Sequence, residues 1–124
     1  GFSDAKPWLP VKDAQAGHAV AGQQGDDSVL AAYRDTIAFR KSQPAMRWGV
    51  TQFLDLPEPV LAFSRTHDGQ SVTCVFNLSA SPVTLNVAGD TALTGPVRAD
   101  LDGQQLHLPA NGFAWLTGAV DLGA

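Results

Sequence analysis

The stretch VLAFSRTHDGQSVTCVFN, residues 60–77, decides the fold class of this chain. In its second half Val72, Cys74 and Phe76 point to one side of an extended strand, and the residues between them point to the other. Asp68-Gly69 lies between the two halves, and this dipeptide favours the tight type I′ turn that matches strand twist. The stretch therefore predicts a β-hairpin with strands at 60–65 and 71–78.

The residues after this hairpin repeat the pattern of short strands separated by turns. The segment 83–87 alternates apolar and polar residues and predicts a third strand. A second Asp-Gly pair, Asp102-Gly103, joins a short strand near Val97 to a strand at 105–108, and a last strand runs over 112–116. Strands this short, with turn signals every ~8–12 residues, are typical of an antiparallel sandwich.

One helix is predicted before the strands. Asp26 or Asp27 can cap its start by accepting hydrogen bonds from free backbone N–H groups, and Pro44 ends it. Apolar residues recur at helical spacing and predict one apolar stripe along it. The stripe consists of Leu30, Tyr33 and Ile37.

The first 25 residues have no sustained periodicity, and Pro7-Trp8-Leu9-Pro10 forms a stiff extended segment. The predicted fold class is therefore mainly β, an antiparallel β-sandwich preceded by an extended loop and one α-helix. The predicted division places the loop at 1–26, the helix and its exit at 27–48, and the sandwich at 49–124. The chain starts at Gly1 rather than at Met, which favours a fragment or a processed product.

Composition and charge argue against several classes of partner. The net charge of −4 argues against nucleic acid, because neutralising phosphates requires a basic surface. No apolar run approaches the ~20 residues that span a bilayer, so no membrane partner is expected. Cys74 is the single cysteine, and it predicts a small core residue and favours a cytoplasmic location, with a periplasmic one as the alternative.

The sequence contains no pattern that indicates catalysis, a cofactor or a metal. His18, His67 and His107 have no metal-ligand spacing. Each carboxylate has a structural explanation, such as the hairpin turns at Asp68 and Asp102, so no catalytic pair is assigned. We therefore predict no catalytic residue, no cofactor and no metal within this chain.

Tryptophan and asparagine leave two open interpretations. Trp8 or Trp48 could stack on a sugar. Packing is the favoured interpretation for two of the three tryptophans, Trp115 in the core of the sandwich and Trp48 at the helix-to-strand corner. Trp8, inside its proline-rich segment, is predicted to pack against another surface. Asn77-Leu78-Ser79 fits the glycosylation acceptor pattern, but such short matches arise often by chance.

Three stretches, taken together, resemble bacterial α-glucosidases and oligo-1,6-glucosidases of glycoside hydrolase family 13. The first comprises Gly1-Phe2-Ser3 and Lys6-Pro7-Trp8-Leu9-Pro10-Val11, which resemble a late segment of those enzymes. The second comprises Asp27-Ser28-Val29-Leu30, Tyr33-Arg34, Ile37-Ala38 and Arg40-Lys41, which resemble the last helix of the catalytic barrel. The third comprises Val60 to Arg65 and Val75 to Ser79, which resemble the first hairpin of the C-terminal β domain.

The resemblance implies a non-catalytic C-terminal domain that stabilises the barrel of an enzyme hydrolysing short α-glucosides. Family enzymes are retaining glycosidases whose catalytic Asp and Glu residues precede the matched segment, so none falls on this sequence. The expected partner is the parent's catalytic barrel, contacted by Trp8, Leu30, Tyr33 and Ile37. Two alternatives remain: a carbohydrate-binding module that takes an oligosaccharide through Trp8 or Trp48, and a protein-interaction domain that uses the helix face.

Overall fold

The computed structural model describes residues 5–88, 90–118 and 120–123 of the chain, and the stretch Gly1-Phe2-Ser3 lies outside this range. The chain divides into two compact units, residues 1–38 and 39–124. Each unit is described separately below.

The first unit contains helical turns where the sequence predicts an extended loop. These are α1 (Asp13–Ala16) and a 3₁₀ turn (Val20–Gly22). The start of α2 (Val29–Ser42) also lies in this unit, where the sequence predicts a helix. The prediction that Asp26 or Asp27 caps α2 is wrong. Ser28 does so, because its Oγ accepts a hydrogen bond from the N–H of Ala31 at 3.1 Å.

The described residues of the second unit contain the end of α2, the short helix α3 (Pro44–Trp48) and nine strands. Pro44 begins α3, a position where its missing N–H costs nothing. The strands, in chain order, are β1 (Val50–Leu54), β2 (Val60–His67), β3 (Gln70–Asn77), β4 (Val83–Ala88), β5 (Ala92–Arg98), β6 (Asp100–Asp102), β7 (Gln105–Leu108), β8 (Phe113–Thr117) and β9 (Asp121–Gly123).

The strands form two antiparallel sheets, which confirms the predicted mainly-β sandwich. One sheet has the order β1-β2-β3-β8-β5 and the other β6-β7-β4-β9. Buried residues of both sheets build a shared core, as expected for two sheets that face each other. The core residues are Ala62, Val75, Ala114 and Leu116 from the first sheet and Leu85, Val87, Leu106 and Leu108 from the second.

The two predicted hairpins form, but one flanking strand is assigned differently. Asp68 and Gly69 both have positive φ, 46° and 79°, which is the pattern of the type I′ turn. The second hairpin joins β6 to β7, and of its two central residues only Gly103 has positive φ. The strand near Val97 is not its partner, because Val97 lies in β5, which pairs with β8 in the other sheet.

Candidate interaction surface

The side of the five-stranded sheet that faces away from the shared core carries a second apolar cluster. We call it the outer face, and it includes the row Phe53, Phe63, Cys74 and Trp115, which are consecutive partners across β1, β2, β3 and β8. Alternation along each strand places these residues opposite those that fill the shared core. The central strand β3 is therefore buried on both sides, with Val75 inside and Cys74 outside.

Helical residues cover one part of the outer face. Phe39 packs against Trp115 with ring centroids 5.8 Å apart, and Ala45 of α3 is completely buried. Gly95 on β5 permits this packing, because a methyl group in its place would lie 2.5 Å from Cδ2 of Phe39. Its φ of 64° also belongs to the left-handed region that favours glycine.

Two side chains of the first hairpin hold α3 on the sheet at both of its ends. At the start, the Oε1 atom of Gln70 accepts a hydrogen bond from the N–H of Ala45 at 2.9 Å. At the other end, the guanidinium of Arg65 donates to the carbonyl oxygens of Ala45 at 3.3 Å and Met46 at 3.4 Å. A cation suits this position, because the C-terminal end of a helix carries partial negative charge.

The remaining part of the outer face is uncovered in the second unit. Phe53 is 69% exposed and Leu78 is 64% exposed, whereas Phe63 and Phe76 between them are half-buried. Phe53 contacts Phe63 edge-on at 5.8 Å, and Phe63 stacks on Phe76 at 6.0 Å. These contacts link the exposed ring of Phe53 to two half-buried rings, so the surface is ready to receive another apolar surface.

Trp48 does not pack at the corner between helix and strand, and the expectation that it does is wrong. Its side chain is 64% exposed, and the guanidinium carbon of Arg47 lies 5.0 Å from its ring centroid. This arrangement is a cation–π contact, which covers one face of the indole. Trp115, by contrast, is a core residue as predicted.

The four residues predicted to contact the barrel lie in the first unit. Trp8 is 94% exposed, and Tyr33 and Ile37 on α2 are also exposed. Leu30 is half-buried. The structure does not test whether these residues contact a partner, so that role stays a prediction.

The groups most able to perform chemistry are either buried or dispersed. Burial raises the pKa of the Cys74 thiol to about 12, although the nearby Arg65 opposes this shift, so the thiol stays protonated at neutral pH. Asp68 lies in the first hairpin turn, Asp102 flanks the second, and Asp26 and Asp35 line a polar depression of the first unit. In the part of the chain that the structure describes, no three His, Cys, Asp or Glu residues are grouped to hold a metal.

Asn77 has a structural role that the sequence did not suggest. Its buried amide nitrogen donates to the carbonyl oxygens of Ser81 at 2.7 Å and Pro109 at 2.9 Å. Its amide oxygen accepts from the N–H and the hydroxyl of Ser79, at 3.0 and 2.9 Å. A buried amide with these partners is not accessible to a glycan, so the acceptor pattern is a chance match.

The comparisons with known proteins identify the domain. Residues 51–115 match the family described as "Maltogenic Amylase, C-terminal domain", and this match covers more than half of the chain. The chain belongs to this family, which confirms the resemblance to the C-terminal part of family 13 α-glucosidases. Among the described residues, no helix is long and apolar enough to cross a membrane.

This chain spans less than a quarter of the length of each similar protein described next. A probable α-glucosidase of Rhizobium meliloti (strain 1021) is 44% identical over 85 residues, which make up 68% of this chain and 15% of the relative. A trehalose-6-phosphate hydrolase of Escherichia coli (strain K12) is 35% identical over 64% of this chain and 15% of its own length. The crystal structure of an α-glucosyl transfer enzyme, 41% identical, aligns with a TM-score of 0.82 over 91% of this chain and 22% of that chain.

Sequence reasoning found the core hairpin but missed the exposed part of the outer face. Phe53 and Leu78 received no functional role from the sequence. The β-branched and aromatic residues Val50, Thr51 and Phe53 could have indicated a strand here. Whether Phe53 would be exposed or covered depended on the sheet order, which a local pattern does not contain.

Proposed function

We propose that this chain is the non-catalytic C-terminal domain of an enzyme that hydrolyses short α-glucosides, and that it stabilises the catalytic barrel of that enzyme. The observation that carries the proposal is the uncovered part of the outer face, where Phe53 and Leu78 are exposed beside half-buried aromatic rings. The sandwich already has its own buried core, so these side chains are not needed for its interior. Contiguous exposed apolar surface of this kind marks an interaction site.

The chemistry of the proposed partner follows from the relatives. The relatives include a probable α-glucosidase and an α-glucosyl transfer enzyme, and this chain covers 15% and 22% of their lengths. The catalytic Asp and Glu residues of a retaining mechanism would lie on the barrel, outside this chain. Trp8, Leu30, Tyr33 and Ile37 would contribute further apolar contacts to it.

The proposal has a direct energetic consequence. Burying an apolar side chain of this size against a partner contributes roughly 1.5–3 kcal/mol. Two or three such side chains would therefore change the stability of the barrel measurably while leaving its catalytic groups untouched.

A heat-inactivation experiment tests this role. In the longer enzyme that contains this chain, Phe53→Asp combined with Leu78→Asp should lower the temperature of half-inactivation while kcat and KM at low temperature stay unchanged. Thr84→Asp, an exposed position on β4 of the other sheet, is the matched control and should change neither. An unchanged inactivation temperature in the double variant would refute the stabilising role.

The non-catalytic part of the proposal has its own test. The purified chain should not hydrolyse a chromogenic α-glucoside, because the proposal places both catalytic carboxylates of a retaining mechanism on the barrel, outside this chain. Activity that persists through further purification and follows the chain on a column would contradict the proposal.

A separate sugar-binding module is the second reading, and Trp48 offers it limited support. Arg47 covers one face of the Trp48 ring, which leaves a single face for a sugar. An NMR titration with maltose distinguishes the two readings. Shifts confined to the indole signals of Trp8 or Trp48 would favour sugar capture, and the absence of shifts would favour the stabilising domain.

A cytoplasmic location belongs to the same proposal. Its support is the cysteine content, since Cys74 is the single cysteine and is buried as a free thiol. Fractionation of cells that produce the longer enzyme, followed by immunodetection, distinguishes cytoplasm from periplasm.

A further inference from the structure

Among the described residues the two sheets have four edge strands, and three of these strands carry features that discourage pairing with another chain. The strand β5 contains Pro96, and its register with β8 shifts between Thr94 and Arg98. The strands β6 and β9 have three residues each. Proline, irregular register and short length are the usual protection of an exposed edge.

The fourth edge, β1, has none of these features. It is five residues long, reads VTQFL, pairs on one side with β2 over its whole length, and contains neither proline nor a charged residue. Its first four residues are exposed, with Val50 77% exposed. Because β1 ends the order of its sheet, no described strand pairs with its outer side, and the backbone groups there can pair with a further strand.

The charges at the two ends of β1 favour one orientation for such a strand. Arg47 precedes β1 and Asp55 follows it. In an antiparallel pair with Gln52 opposite Gln52, Asp55 of one copy lies opposite Gly49 of the other copy, two residues along the chain from the Arg47 of that copy. A parallel pair would bring like charges together, which is unfavourable.

We propose that β1 pairs with β1 of a second copy of this chain, antiparallel and centred on Gln52. With full overlap, Gln52 faces Gln52 of the second copy, and Val50 faces Leu54 of the second copy. The two five-stranded sheets then join into one continuous sheet. A single five-residue pairing buries a small area, below about 1,200 Å², so the association is weak and depends on concentration.

A charge exchange at Gln52 tests both the edge and the register. Gln52→Lys and Gln52→Glu each place like charges directly opposite each other, and each should weaken self-association about tenfold or more, a change of ~1.4 kcal/mol. An equimolar mixture of the two variants should restore association, because opposite charges then face each other. Sedimentation velocity over a wide concentration range provides the measurement.

Three results would overturn the proposal. The first is a wild-type chain that stays monomeric at all concentrations, and the second is a mixture that associates no better than the separate variants. The third is association that Leu78→Lys abolishes, which would place the contact on the exposed outer face. The same exchange at Asn86, an exposed residue on the interior strand β4, is the matched control and should have no effect. This inference does not depend on the proposed barrel contact, since Gln52 points to the opposite side of the sheet from Phe53.

Discussion

Removing the side-chain amide of Asn77 should destabilise the sandwich more than any other single hydrogen-bonding change. The amide joins the segment after β3 to the segment after β7, through bonds to Ser79, Ser81 and Pro109 of 2.7–3.0 Å. Each such bond contributes about 1 kcal/mol net. For four bonds, with some water reaching the partly buried partners, we expect Asn77→Ala to lower the free energy of unfolding by roughly 3 kcal/mol.

The measurement is chemical denaturation followed by tryptophan fluorescence, because Trp115 is buried and reports on the core. For a unit of this size, a loss of that magnitude corresponds to a fall in Tm of roughly 12–24 °C. Asn86→Ala is the control, since Asn86 is exposed on β4, and it should change stability by at most about 0.5 kcal/mol. A loss below ~1 kcal/mol for Asn77→Ala would refute the reasoning, because it would mean that water replaces the amide at little cost.

Three further predictions concern the outer face. Gly95→Ala should lower the free energy of unfolding by roughly 2–3 kcal/mol. Gly69 also has positive φ, but a methyl group there would meet no atom within 4 Å, so Gly69→Ala should lower it by only about 1 kcal/mol. The difference between the two variants in urea denaturation measures the clash with Phe39. Burial raises the pKa of Cys74 from 9.0 to about 12 in the folded state, so the folded state retains a proton that the unfolded state loses. The free energy of unfolding should therefore fall as pH rises from 9.0 towards 12. Cys74→Ala should abolish this pH dependence, even if it lowers stability at all pH values. Arg65→Gln removes hydrogen bonds to the end of α3 and should lower the free energy of unfolding by about 1–2 kcal/mol. Amide hydrogen exchange should become faster in α3 alone, and an equal increase throughout the second unit would argue against a local role.

Local sequence rules predicted the parts of the fold that depend on near neighbours. The hairpin at Asp68-Gly69 formed as expected, because the turn chemistry and the alternation of β3 act over a few residues. The cap of α2 was placed one or two residues early, at Asp26 or Asp27, since Asp and Ser are both good capping residues and local sequence does not rank them.

The candidate site was predicted less well than the fold. The sequence indicated apolar residues on α2, of which Tyr33 and Ile37 are exposed, but it assigned no role to Phe53 or Leu78. Their exposure depends on what lies beside β1 and above β3. That is a matter of long-range packing, which periodicity does not report.

The sequence by itself determined the mainly-β class, the first hairpin and the family to which the chain belongs. Each of these follows from alternation, turn residues or motif order along the chain. The tertiary structure alone decided that β5 joins the first sheet, that Asn77 holds two loops together, and that β1 is an unprotected edge. These features arise from contacts between residues far apart in sequence, whose pairing is selected by the packing of the whole domain rather than by any local preference.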